Sequence, residues 1–222
     1  MPSTIGFDIY GTLINTDGVV TTLQEFMGAE AGVFAQTWRS KQLEYTFRRG
    51  LMQNYRDFAV CTSQALDYSC LAHGQRLSVE QKKELLAVYR RLPAFDDVQD
   101  GLSRLQAQQH RLFAFSNGSA EAVRALLDSA GISAFFAGVV STEDLRSFKP
   151  NPAVYSHFLR QSGACGSNAW LVSSNPFDVI GAISAGMKAA WLKRSPKAIY
   201  DPWETEPTLT IGSLAELSEQ VL

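Results

Sequence analysis

The apolar positions change their period along the chain. The first run, Ile5-Gly6-Phe7, is short, ends in Asp8 and meets Gly11-Thr12 at once, which predicts a buried strand running into a turn. From about Val19 to Leu92 the spacing is helical. Val33, Phe34, Trp38, Leu43 and Phe47 recur as a helix would place them, as do Phe58, Ala59, Thr62, Ala65 and Leu66. Ser78-Val79-Glu80-Gln81 reads as a capping box, in which hydroxyl and amide side chains satisfy each other's backbone N–H groups. Leu85, Val88, Tyr89 and Leu92 then line one helical face, and Pro93 stops it.

After Pro93 short apolar runs alternate with helical stretches. A helix over about 98–109 precedes the strand Leu112-Phe113-Ala114-Phe115, which ends in Ser116-Asn117-Gly118. A helix over about 120–130 leads to the strand Gly138-Val139-Val140. Asn151-Pro152 opens the next helix, with Asn as N-cap and Pro at the first helical position. Trp170-Leu171-Val172 reads as a strand, and Asn175-Pro176 repeats the helix-start signal. The strand Ala189-Ala190-Trp191-Leu192 follows. Pro196, Pro202 and Pro207 mark an irregular connection, Leu209-Thr210-Ile211 an edge strand, and Ser213 the cap of a last helix. This alternation predicts an α/β fold: a doubly wound, Rossmann-like parallel sheet with helices on both faces. The first strand is too short to stand alone and must pair with strands of the second half. The economical division is a core of residues 1–14 and 94–222, interrupted by an inserted α-helical cap of residues 15–93.

Composition narrows the function. The 222 residues are 45% hydrophobic, enough for a large core without disulfides or structural metal. Lys and Arg total 20 against 22 acids, a formal charge of −2, which argues against a nucleic-acid partner held by general electrostatic attraction. No run approaches the roughly 20 apolar residues of a membrane span, and the first residues lack the basic and apolar regions of a signal peptide. Cys61, Cys70 and Cys165 form no CxxC pair, which fits reduced thiols and a cytoplasmic setting. His73, His110 and His157 have no partners at zinc-ligand spacing.

Ligands of open α/β sheets gather at the carboxyl ends of the strands. Those ends carry Asp8, Ser116-Asn117, then Lys149, then Ser173, Asn175 and Asp178. Each alone has a bland explanation: a turn cap, a helix cap, a solvated surface lysine. Together, one amine, two acids and a set of neutral polar groups converging on one edge describe a site.

Here a resemblance enters. Phe7-Asp8-Ile9-Tyr10-Gly11-Thr12-Leu13 resembles the first motif of the haloacid dehalogenase superfamily. Ser116-Asn117-Gly118 resembles its second, Lys149-Pro150 its third, and Ser174-Asn175-Pro176-Phe177-Asp178 its fourth, in the right order. The superfamily's phosphatases look like Asp-x-Asp-Gly-Thr and bind magnesium with acids of the first and fourth motifs. Tyr10 replaces the second acid here and Asn175 replaces part of the acid pair. Both resemble the L-2-haloacid dehalogenase branch, as does Trp38-Arg39-Ser40-Lys41-Gln42-Leu43-Glu44-Tyr45, with Arg39 as the active-site arginine. Ser40 stands where relatives carry a larger Gln, and Phe177 where some carry Trp.

The resemblance implies hydrolysis of short (S)-2-haloalkanoic acids to (R)-2-hydroxyalkanoic acids, with haloacetates within the same chemistry. Asp8 would attack C2 from behind the carbon–halogen bond and form an ester that water then opens. Lys149 would offset the charge of the substrate carboxylate, and Ser116 with the amides near Asn117-Gly118-Ser119 would hold it. Arg39, Asn117 and the edge of Phe177 would cradle the halide. Asp178, with Asn175 and Ser173, would position or activate water. Thr12 would support Asp8, and Tyr155 falls where the branch places a functional residue. Tyr10, Leu43, Phe58 and Phe177 would form an apolar wall. The scheme calls for no cofactor and no metal, no nucleic acid and no membrane, and the resemblance suggests a homodimer. Two other readings stay open at this point: a magnesium-dependent phosphatase of the superfamily, and a non-catalytic binding protein on the same scaffold.

Overall fold

The computed structural model describes residues 2–221. Six strands form one sheet: β1 (Thr4–Phe7), β2 (Arg111–Ser116), β3 (Gly138–Ser141), β4 (Ala169–Ser173), β5 (Lys188–Leu192) and β6 (Leu209–Ile211). Their order is β3-β2-β1-β4-β5-β6 and every pair is parallel. This is the doubly wound α/β order, in which ligands collect where the chain reverses direction across the sheet. That switch lies beside β1, which pairs with β2 through Thr4↔Arg111 to Phe7↔Ala114 and with β4 through Thr4↔Ala169 to Phe7↔Val172.

The sheet is covered on both faces because alternate strand residues point opposite ways. Ile5, Phe7, Leu112, Ala114 and Val172 join one apolar cluster; Phe113, Phe115, Leu171 and Ala189 join another with Val154, Tyr155 and Phe158. Gly6 leaves room on that second face for the Phe158 ring, which a Cβ at position 6 would meet at 2.7 Å.

Between β1 and β2 the chain builds α1 (Val19–Met27), α2 (Ala31–Leu51), α3 (Phe58–Ala72) and α4 (Val79–Tyr89). It leaves the sheet past Ile14 and returns at Ala94. The two crossings are stitched by an Ile14↔Ala94 bridge and by backbone bonds from Asn15 N to Pro93 O (2.8 Å) and from Phe95 N to Leu13 O (3.0 Å). The expected capping box is present: Ser78 Oγ accepts from Gln81 N at 3.2 Å and Gln81 Oε1 accepts from Ser78 N at 2.8 Å. Helix α4 ends at Tyr89, short of the expected Leu92, because Pro93 disfavours the helical conformation in the residue before it.

The remaining helices flank the sheet: α5 (Val98–Ala107), α6 (Ala120–Ser129), α7 (Pro152–Ser162), α8 (Pro176–Ser184) and α9 (Leu214–Gln220). Helix α5 stops before its expected end because Gln109 adopts a left-handed φ of 65°. Asn151 and Ser213 cap α7 and α9 as their positions suggested. No helix among the described residues is long and apolar enough to cross a membrane.

Candidate active site

The site begins with a turn. After β1 the Asp8 N–H donates to Val172 O at 2.9 Å, and the chain then curls tightly. The amides of Thr12, Leu13 and Ile14 all point at Ile9 O, and Gly11 N donates to Ile14 O. Gly11 takes φ +84°, a conformation that a side chain would oppose. The curl returns Thr12 over Asp8, so that its hydroxyl donates to Asp8 Oδ2 at 2.8 Å.

Lys149 is the centre of the charge network. It is 1% exposed, so the solvated-surface explanation of this residue fails. Its ammonium donates to Asp178 Oδ2 at 2.8 Å, to Phe115 O at 2.8 Å and to Asp8 Oδ1 at 3.2 Å, which uses its three N–H bonds. Asp178 is buried in the first turn of α8, where Tyr155 donates its phenolic O–H to Oδ1 at 2.8 Å. Burial pushes the Asp178 carboxyl up from the ordinary value of 3.8, the nearby Asp8 adds to this, and Lys149 opposes it. Tyr155 is pushed well above the usual phenol value by burial and by Asp178, so it stays a donor.

Two expectations change here. Asn175 holds the N-cap position of α8, yet its side chain makes no cap bond. Nδ2 instead donates to Asp8 Oδ2 at 2.8 Å, because a carboxylate accepts only from the nitrogen end of the amide. Asp178, expected to work on water together with Ser173 and Asn175, has both oxygens engaged by Lys149 and Tyr155. It lies behind Lys149, not on the cavity wall. Ser173 also lies behind, with its hydroxyl 3.4 Å from Asp8 Oδ2 and accepting from Asn175 N at 3.1 Å.

Strand β2 supplies the opposite side. Ser116 Oγ accepts from Gly118 N at 3.1 Å, and Asn117 Oδ1 accepts from Lys149 N at 2.9 Å, which leaves the Asn117 amide N–H groups as donors. Neither caps α6; Ser119 does. Above them stands α2, where Arg39 donates through Nη2 to Tyr10 O at 3.0 Å and through Nη1 to Gln42 Oε1 at 2.7 Å. Tyr10 packs against Phe58 and stacks on Tyr89, with centroids 5.3 and 5.7 Å away. Burial and Tyr89 push its phenol upward, so it stays neutral. Phe177 meets the edge of Phe47 at 4.9 Å.

These groups enclose a cavity. Asp8 and Lys149 form its floor, Tyr10, Leu43, Phe58 and Phe177 its apolar walls, and Arg39, Ser116, Asn117 and Asn175 its polar lining. Thr12, Ser173, Tyr155 and Asp178 support the floor from beneath. The sequence reading missed Ser174, whose amide donates to Thr12 Oγ1 at 2.9 Å and whose hydroxyl donates to Gly11 O at 2.7 Å. It also missed Gln42 and Phe47. Ser174 and Gln42 stand inside the quoted motifs and Phe47 in the helical apolar series, but the sequence gives no sign of the partners they meet.

The donor set does not suit magnesium. Asp8 Oδ2 faces the Thr12 and Ser173 hydroxyls and the Asn175 amide, and Oδ1 faces an ammonium. A hard cation needs oxygen acceptors there. Among the described residues no group of three or more His, Cys, Asp or Glu stands close enough to hold a metal ion.

Comparison with known proteins places the chain. The family model described as haloacid dehalogenase-like hydrolase matches residues 2–186. An (S)-2-haloacid dehalogenase of Pseudomonas putida is 34% identical over 96% of this chain and 94% of its own length. A haloacetate dehalogenase of Moraxella sp. (strain B) is 32% identical over 93% and 92%. The L-2-haloacid dehalogenase of Xanthobacter autotrophicus, solved with chloropropionic acid covalently bound, superposes with a TM-score of 0.92. It is 27% identical over 100% of this chain and 98% of that one. With four ordered motifs, the doubly wound core with its inserted helical cap, and relatives alike from end to end, this chain belongs to the haloacid dehalogenase-like hydrolases, in the L-2-haloacid dehalogenase branch.

Proposed function

We propose that this protein hydrolyses the carbon–halogen bond of short (S)-2-haloalkanoic acids, haloacetates included, giving (R)-2-hydroxyalkanoic acids. The observation that carries the reading is a buried carboxylate, Asp8, at the floor of a small, part-apolar cavity that also holds an arginine with no acidic partner among the described residues. Asp8 Oδ2 is tied by Thr12, Asn175 and Ser173, whereas Oδ1 has only Lys149 at 3.2 Å. Oδ1 is therefore the oxygen with lone pairs to spare, and it attacks C2. The carbon–halogen bond breaks as the carbon–oxygen bond forms, so C2 inverts and an aspartyl ester results.

The remaining groups have roles that follow from their chemistry. Lys149 places one positive charge between two carboxylates and offsets the approach of an anionic substrate. Ser116 and the free amide hydrogens of Asn117 bind the substrate carboxylate or the departing halide. Arg39 and the positive edge of Phe177 receive the halide. Tyr10, Leu43 and Phe58 exclude water, so each charge contact strengthens. Water then adds to the ester carbonyl of Asp8, the bond from that carbon to Oδ1 breaks, and the hydroxy acid leaves with Oδ1 while the water oxygen restores the carboxylate. One water proton goes to the departing oxygen; Lys149 passes a proton to Asp178 and takes the other in its place, with Tyr155 holding Asp178 and Ser173 and Thr12 keeping Asp8 in register. The covalently bound chloropropionic acid in the Xanthobacter enzyme supports the ester step.

Residues 15–93 act as the cap over a core of 1–14 and 94–222, because Arg39, Leu43 and Phe58 close the cavity from the inserted helices. The same reading takes the protein as cytoplasmic, supported by the free thiols Cys61, Cys70 and Cys165, and as a homodimer, supported by the exposed Val33, Leu51, Tyr68 and Leu71 of α2 and α3. The decisive experiment is chloride release from (S)-2-chloropropionate with EDTA present. Release is expected from the natural protein and none from Asp8→Asn. Activity that needs magnesium and acts on phosphate esters would overturn the reading.

A further inference from the structure

Gln42 is fully buried in α2, a costly place for an amide unless every polar atom is paired. It lies one helical turn beyond Arg39 and does not line that cavity. Its orientation is fixed by its neighbours. The Thr62 hydroxyl donates to Phe58 O at 2.7 Å, so Thr62 Oγ1 is left to accept, and Gln42 Nε2 donates to it at 2.6 Å. The amide oxygen must then face the other way, where it accepts from Arg39 Nη1 at 2.7 Å and from Tyr89 O–H at 3.0 Å. Both lone pairs of that oxygen are used.

The electrical consequence is specific. Arg39 is held by two neutral acceptors, Gln42 Oε1 and Tyr10 O, and it makes no ion pair with any acid among the described residues. A carboxylate of the same shape at position 42 would hold the guanidinium equally well and cancel its charge. An apolar residue of the same size would leave the charge but not the aim. We propose that Gln42, oriented by Thr62 and Tyr89, is a positioning residue that aims the Arg39 guanidinium into the cavity while leaving its positive charge available to the departing halide. The inference rests on the dehalogenase reading above and adds to it a residue outside the cavity that sets halide binding.

The test compares the natural protein with Gln42→Glu and Tyr89→Phe. Each is assayed for release of chloride and bromide from the matching (S)-2-halopropionates and for inhibition by free bromide. Thermal melts follow in parallel. In Gln42→Glu, bromide inhibition is expected to weaken about tenfold or more. Turnover should fall several-fold further for the chloro substrate, whose smaller leaving anion depends more on the guanidinium. Tyr89→Phe keeps the ring stacking and removes one donor to the Gln42 oxygen, so it should move both readouts the same way by a smaller factor. A purely structural role would lower both substrates equally and leave bromide inhibition unchanged; that result in a folded Gln42→Glu overturns the inference. Should Gln42→Glu fail to fold, an unchanged chloride-to-bromide ratio and unchanged bromide inhibition in Tyr89→Phe overturn it instead. If the natural protein releases no halide at all, the dehalogenase reading itself fails, and the inference with it, so the two failures are told apart.

Discussion

Asp178 is an acid that its surroundings make reluctant to ionise: burial raises it, Asp8 raises it, and Lys149 only partly compensates. The sign of the pH effect follows. In the proposed hydrolytic step water must lose a proton, so the form of Asp178 that would take it up is the ionised one. Lowering the pH through its raised value removes that form, and kcat is expected to fall on an acid limb lying above the ordinary 3.8. Tyr155→Phe deletes a hydrogen bond that favours the ionised form, so the limb should move to still higher pH in a kcat–pH profile. A limb unmoved in that variant would remove Asp178 from the hydrolytic step. Stability runs the opposite way. A carboxyl raised in the folded state binds its proton more tightly there than in the unfolded chain. Its contribution is full below about 3.8 and is lost as pH rises through the folded value.

Lys149 gives a second expectation at this scale. Replacing it with Met leaves Asp8 and Asp178 facing each other without a cation, both buried. Breaking a buried pair in this way costs about 3–5 kcal/mol. Urea unfolding of Lys149→Met should show a loss of that order together with the loss of halide release. Asp8 and Lys149 were legible in the sequence because motif and position at the strand ends agreed. The roles of Ser174 and Gln42 were not. A hydroxyl in a loop and an amide in a helix become significant only when a distant segment supplies the partner: Thr12 for one, Thr62 and Tyr89 for the other.

Elements were read more easily than contacts between them. Local rules set the starts of α4, α6, α7 and α9, where Ser78, Ser119, Asn151 and Ser213 each accept from a first-turn amide. Asn175 departed from that rule: its nitrogen donates to the Asp8 carboxylate, and in that orientation its oxygen accepts from no first-turn amide. The closeness of helix packing left no such signal. Helix α5 lies against α9 so tightly that a Cβ at Gly101 would run into the Leu214 side chain and backbone. Gly101→Ala should therefore destabilise despite its better helix propensity, by about 1–3 kcal/mol. The melting temperature would show it, while kcat of the folded fraction should stay unchanged because the contact is remote from Asp8. A neutral or stabilising result would mean that α9 shifts freely.

At the scale of the whole molecule, the helical layer and the sheet meet through residues of the candidate site. Arg39 bonds Tyr10 O across the seam and Phe47 packs edge-on against Phe177. Away from the seam the same layer keeps Leu51 and Leu71 largely exposed, at 87% and 83%. Burying such side chains is worth about 1.5–3 kcal/mol each, which favours a partner surface. Light scattering is expected to give about twice the 24.4 kDa chain mass, and Leu71→Glu to reduce it toward one chain without altering halide release per site. A natural protein that is monomeric at micromolar concentration would overturn the dimer.

The sequence by itself determined the period of each segment, the caps, the order of strands and helices and the residues at the strand ends. Each of these is written in a few neighbouring positions. It also carried the branch of the family, because Tyr10, Arg39 and Asn175 are substitutions of type and need no geometry to be seen. Only the tertiary structure decided which groups touch. It turned Asn175 from a cap into a donor to Asp8, withdrew Asp178 and Ser173 behind the floor, and gave Arg39 neutral partners. The reason is that hydrogen bonds of buried groups must be satisfied by whatever the fold brings within about 3 Å. Those partners come from segments far apart along the chain, where local pattern carries no information.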